Sequence, residues 1–254
     1  EYHAMMAEMR RALSLAQATS SPPQMRERRE FFTCHEALHL HYESALTRQS
    51  NAGRWYNLST HMPWIGMRTA DINGAHVEYM RGIANPIALK VGPRLSVKAL
   101  ETLVKTLNPE RIPGRLTLIH RYGVEHIESQ LPQAIAAVRE TEVPVLWCAD
   151  PMHGNTRLTR SGIKTRRFDE ILRELELAFA LHHQHQSILG GVHFEMTGDH
   201  VTECVGGARG LTEQDLEHAY RSLVDPRLNA EQVLEMALSI VRVNDNLHSS
   251  DQNR

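Results

Sequence analysis

Six short runs rich in apolar and β-branched residues punctuate the chain: MPWIG at 62–66, IALKVG at 87–92, RLTLIH at 115–120, VPVLWC at 143–148, GVHFEM at 191–196 and a weaker RSLVDP at 221–226. Each reads as a buried strand, and amphipathic stretches at 71–82, 96–107, 124–140, 168–187, 212–221 and 229–243 read as helices between and after them. Parallel neighbours need a crossover long enough to hold a helix, so strict strand-helix alternation predicts parallel βαβ units. At 254 residues the chain has the length of a (β/α)8 TIM barrel, of which six βα units are legible. The first 50 residues belong to no strand in this reading. They form a helical segment, broken at SPP (21–23), that packs on a barrel portion at 51–254 in a single α/β domain overall. The polar tail SSDQNR is expected to fray.

Composition narrows the partners. A hydrophobic share of 41% and a charged share of 23% describe a soluble globular protein, and a formal net charge of −2 gives no global attraction to nucleic acid or an anionic membrane. Cys34, Cys148 and Cys204 are odd in number and widely spaced, which argues against a disulfide framework and for a reducing, cytoplasmic setting. No window approaches about 18 uninterrupted apolar residues. EYHAMMAEMRRALSLAQA at the start is an amphipathic helix pattern without the apolar core of a signal peptide.

The polar residues gather at one end of the strands. Arg68, Lys90, Arg121, Asp150 with His153, Glu195 and Asp225 all follow or end an apolar run, which delivers them to the face where parallel α/β folds build active sites. His193 and Glu195, two apart, are expected on one side of a strand. His, Glu and Asp suit Mn, Fe, Co or Zn. A divalent metal beside Arg68, Lys90 and Arg121 describes a pocket for a phosphorylated or carboxylated substrate. The competing reading is a rim of structural ion pairs.

In order along the chain, WIGMRT, DINGAHVEYMRGIANPIALKVGP, GRLTLIHRYG, WCADPMHGNT, GGVHFEMTGDHVTECVGG and DPRLN are long, non-degenerate motifs. Together they resemble the type II 3-deoxy-D-arabino-heptulosonate 7-phosphate (DAHP) synthases, from about residue 1 to 243. The resemblance implies a (β/α)8 barrel enzyme, a transferase that condenses phosphoenolpyruvate with erythrose 4-phosphate at the entry to the shikimate pathway or in aromatic secondary metabolism. It implies His153, Glu195 and Asp225 as metal ligands, with Mn expected and Co, Fe or Zn as alternatives. Arg68, Lys90 and Arg121 correspond to the phosphoenolpyruvate-binding residues, and Lys164 and Arg166 of SGIKTRRF to contacts with the aldose phosphate. Arg68, Lys90, Arg121 and His153 are then the catalytic set, with Lys90 a charge clamp and no Schiff base formed. A homo-oligomer is expected, with the two small molecules as partners and neither nucleic acid nor membrane.

The motifs also depart from the family. Two further barrel strands, one with a GGDCAE-like metal-binding cysteine and one with a GRxAGQxxKPRS-like motif, have no counterpart in these 254 residues. Met67 stands where the family has an acidic residue, and Ala149 where it has a cysteine. The expectation is that a preceding segment or a second chain completes the barrel. The alternatives are a catalytically altered relative that acts as a binding or regulatory partner, or a synthase for an amino analogue of erythrose 4-phosphate.

HEALH at 35–39 matches the His-Glu-x-x-His pattern of zinc proteases. Roughly 0.09 such matches arise by chance in a chain of this composition, and no third ligand follows at a recognised offset. It is read as a structural helix ahead of the WIG strand. HHQHQ at 182–186 is read as a solvated helix face.

Overall fold

The computed structural model describes residues 30–252, with side chains through residue 243. The helical reading of the first 29 residues lies outside the described residues. One compact unit covers Thr33–Arg254, and the other, Glu1–Phe32, falls almost wholly outside the described part.

The frame of the larger unit is a six-stranded, all-parallel sheet. Its strands are β1 (Cys34–Glu36), β4 (Met62–Ile65), β5 (Ile87–Val91), β6 (Leu116–His120), β7 (Leu146–Ala149) and β10 (Leu189–Val192), neighbours in that order. Two antiparallel hairpins stand apart from it, β2 (Thr47–Gln49) with β3 (Trp55–Asn57), and β8 (Thr156–Leu158) with β9 (Lys164–Arg166). Every residue of β5 and β6 is buried, as expected of parallel strands covered on both faces. Lys90 is the sole charged residue in those two strands, and it faces Ile119 in register.

Helices follow the strands: α1 (Leu40–Ala45), α2 (Ala75–Gly82), α3 (Val97–Leu107), α4 (Ile127–Glu140), α5 (Phe168–Gln184) and α6 (Ala230–Gln252). In α3, Leu100, Leu103, Val104 and Leu107 bury one stripe at helical spacing, and the Ser96 hydroxyl caps its start by accepting from the Ala99 amide at 3.2 Å. The fold is thus α/β, an open parallel sheet flanked by helices, and among the described residues β1 and β10 are its edge strands. No helix among those residues is long and apolar enough to cross a membrane.

Three local expectations change. Residues 34–36 are a strand, paired with β4 through Cys34 and Met62, His35 and Pro63, and Glu36 and Trp64. RSLVDP is not a strand: Leu223 is fully exposed, and the backbone amides of Arg221, Ser222 and Arg227 donate to the buried Glu203 carboxylate at 3.1, 2.9 and 2.8 Å. A carboxylate takes the hydrogen bonds a neighbouring strand would need. The stretch 212–221 keeps one 3-10 turn, Glu213–Asp215, under a reciprocal Thr212–Asp215 capping box.

Candidate active site

The carboxyl ends of the sheet strands open into a cavity of about 920 Å³. Arg68, Lys90, Arg121, His153, Lys164, Glu195 and Asp225 all line it. Seven of the eight residues to which the resemblance gives a ligand or substrate role thus come together. The eighth, Arg166, is fully buried against Glu195 and is not among the residues that line the cavity.

Asp150 organises the centre. It is the first residue after β7 and has no exposed surface; its Oδ1 accepts the backbone amides of Met152 and His153, both at 3.1 Å, which folds the DPMHGN turn back on itself. Its Oδ2 takes the Lys90 ammonium and lies 2.7 Å from His153 Nδ1. Burial alone would raise the Asp150 pKa, but the His153 hydrogen bond and the Lys90 charge outweigh it and hold the carboxyl well below the usual range. Lys90 also sits 5.7 Å from the centre of the Trp64 ring.

With Nδ1 engaged, the His153 Nε2 points at two carboxylates, 3.1 Å from Glu195 Oε1 and 3.7 Å from Asp225 Oδ2. One donor atom from each of His153, Glu195 and Asp225 lies within 4.8 Å of the others, a spacing that lets the three hold one ion. A second group, Asp150, His153 and His193, meets the same limit but shares His153. A cation steadies each carboxylate from behind: Arg166 Nη1 lies 2.5 Å from Glu195, and Lys164 Nζ 2.5 Å from Asp225. These cations stand two apart on β9, so they face the same side. Burial would raise the Glu195 pKa, yet His153 and Arg166 together bring it down to about 2. His153 is moved the other way: burial opposes its charge, but Asp150 and Glu195 raise its pKa overall.

Arg121, next to β6, donates to the Met67 sulfur at 3.0 Å and to the His153 carbonyl, and its buried Nε has no partner among the described residues. Arg68 is mostly exposed and lies 3.6 Å from Glu36 Oε1. Glu36 itself reaches over Gly66, where a side chain would collide with its carboxylate. His193 and Glu195 lie just past the end of β10, in the loop rather than in the strand as expected. Arg94, Glu36 and His193 also line the cavity. Arg94 could have been found, since it stands four residues after Lys90, in the loop that leaves β5.

HEALH is not a zinc helix. His35 and Glu36 lie on β1 and His39 precedes α1, so the two histidines are not one helical turn apart. His35 instead meets Glu43 at 2.8 Å, in a network with Ser59 and Asn57. In HHQHQ, His182 is buried rather than solvated, against His120 and Trp147.

The class-II DAHP synthetase family model matches residues 1–241. Three similar proteins carry the name phospho-2-dehydro-3-deoxyheptonate aldolase. That of Neurospora crassa is 47% identical over 228 residues, 83% of this chain and 47% of the relative. That of Streptomyces coelicolor is 43% identical over 243 residues (95% and 54%), and AroG of Mycolicibacterium smegmatis 41% identical over 248 (95% and 53%). The chain spans about half the length of these relatives. With the match running through every motif that lines the cavity, the chain belongs to the class-II DAHP synthetase family.

Proposed function

We propose that this chain carries the condensing centre for phosphoenolpyruvate and erythrose 4-phosphate, giving DAHP and inorganic phosphate. The observation that supports it most is the convergence of four cations, Arg68, Lys90, Arg121 and Lys164, around the His153–Glu195–Asp225 group in one cavity. Arg68, Lys90 and Arg121 would bind the phosphate and carboxylate of phosphoenolpyruvate, with Arg121 contributing charge that no carboxylate among the described residues pairs. Lys164, beside Asp225 in the same cavity, suits the phosphate of the aldose. Arg166, buried on Glu195, is read as that carboxylate's holder in place of a substrate contact.

Three oxygen and nitrogen donors with further positions open suit Mn, and Co, Fe or Zn fit the same set. Such an ion, when bound, polarises the aldehyde carbonyl. C3 of phosphoenolpyruvate attacks the aldehyde carbon, water adds at C2, and phosphate leaves. Lys90 serves as a fixed ammonium, because the buried Asp150 carboxylate holds it in an ion pair and no Schiff base is needed. We read the enzyme as a cytoplasmic homo-oligomer.

The test is aldehyde-dependent loss of phosphoenolpyruvate, with DAHP assayed, across Mn, Co, Fe and Zn. Stoichiometric DAHP supports the proposal. Phosphoenolpyruvate binding without aldehyde-dependent consumption would make the chain a binding relative. Consumption only of an amino analogue would reassign the acceptor.

A further inference from the structure

Glu174 lies on α5, outside the cavity, and is 1% exposed. Its Oε1 accepts the backbone amides of Tyr122 at 3.2 Å and Gly123 at 3.0 Å, in the loop that begins with Arg121. Its Oε2 accepts Asn155 Nδ2 at 2.6 Å, in the loop that carries His153. Asn155 in turn donates to the Pro151 carbonyl at 2.8 Å and accepts the Val124 amide at 3.0 Å. The same two loops touch backbone to backbone: Gly123 has φ +83°, and a side chain on it would meet the Gly154 carbonyl at 2.8 Å. A third tie runs from the Arg121 guanidinium to the His153 carbonyl.

We infer that Glu174 is a positioning residue that locks the His153 loop against the Arg121 loop, and so sets the separation of the metal-binding and phosphate-binding halves of the cavity. The assignment of those halves rests on the proposed function, whereas the lock itself rests on the contacts above. One carboxylate satisfies donors from two loops at once, so neither loop can slide without stranding a buried N–H. A displacement of about 1 Å between a charge clamp and a reacting centre is enough to cost about a hundredfold in rate. Keeping a carboxylate here is itself unfavourable, because burial and the nearby Asp150 charge push its pKa up to about 7 against the three donors. A position needed only for packing would more cheaply be apolar.

Glu174→Gln separates the two links. The amide oxygen can still accept from Tyr122 and Gly123, but its NH2 group would face Asn155 Nδ2, donor against donor. Asn155 cannot turn over, because the Val124 amide and the Pro151 carbonyl fix which end is which. Hydrogen exchange on the ligand-free chain, by mass spectrometry, should therefore speed up about tenfold in peptides covering 151–156 in Glu174→Gln, with 121–124 unchanged. Glu174→Ala should loosen both segments. Titration with Mn should show affinity falling about tenfold in Glu174→Gln, with phosphoenolpyruvate affinity much less affected.

Asn155→Ala cuts the same link from the other side and, if Glu174→Gln folds poorly, should likewise loosen 151–156, with faster exchange added at Val124, whose amide loses its Asn155 acceptor, and none at Tyr122 and Gly123. Unchanged exchange at 151–156 in both variants overturns the lock. Loosened exchange with unchanged Mn affinity overturns the positioning role. A wild-type chain that binds neither Mn nor phosphoenolpyruvate overturns the functional reading instead, while exchange still decides the lock.

Discussion

His153 Nδ1 lies 2.7 Å from Asp150 Oδ2, and the same carboxylate oxygen holds the Lys90 ammonium. His153 Nδ1 also lies 2.9 Å from Oδ1, so one buried carboxylate couples the orientation of the candidate metal ligand to that of a cation proposed to bind phosphoenolpyruvate. Asp150→Asn should weaken both contacts. Loss of such an orienting carboxylate typically costs 10- to 100-fold in metal affinity, and Mn titration of the purified variant checks it. An affinity within a factor of two of the parent would show that His153 is oriented by Glu195 instead.

Arg121→Ala should weaken phosphoenolpyruvate binding at least tenfold, since a charge-assisted hydrogen bond to phosphate is worth about 1.5–3 kcal/mol. Calorimetric titration gives the number directly. Unchanged affinity would remove Arg121 from the anion site and leave Lys90, Arg68 and Arg94 to hold it.

His39→Ala should leave bound metal untouched, because the HEALH segment is strand and turn rather than helix. Metal analysis after dialysis measures it. Loss of a stoichiometric ion with the fold retained would restore a metal role to that segment.

Acid should destabilise the fold through His120 and His182. Burial lowers the first to about 3 and the second to about 4, and both nitrogens of His120 lack partners among the described residues. The folded state keeps both neutral while the unfolded chain protonates near pH 6.5. Their stabilising effect is therefore fully present above about pH 6.5 and is lost as pH falls toward the folded values. At pH 5 each should have lost about 2 kcal/mol. Thermal unfolding of the parent and of His120→Phe between pH 7.5 and 5 tests this, the variant being expected to lose less.

Continuous apolar strands were easy to read: IALKV and LTLIH are buried at every position, and periodicity needs no partner to show it. β1 was not, because Cys-His-Glu is short and polar, and its strand character comes from pairing with β4. Arg68, Lys90, Arg121 and His153 were legible from their places at or after strand ends, whereas Lys164 and Asp225 follow no strand of the parallel sheet and were legible from their motifs alone. What each one touches was not. Arg166 reads as a contact for the aldose phosphate, and nothing in the sequence shows Glu195, 29 positions later, folded against it. Glu174 is one acid among several on an amphipathic helix, and nothing local marks the loop amides it gathers.

Asp225 reaches the cavity without help from the sheet. Glu203, anchored by the Arg227 guanidinium as well as by three loop amides, grips both flanks of the 221–227 turn and leaves its tip, Leu223 and Val224, in solvent. The turn is thus built like a staple with a free crown. Residues at the crown can be exchanged, or a few inserted, while the ends stay clamped and Asp225 keeps its place. That makes 223–224 a natural graft point next to a cavity-lining carboxylate, open to change while the clamped ends of the turn stay as they are.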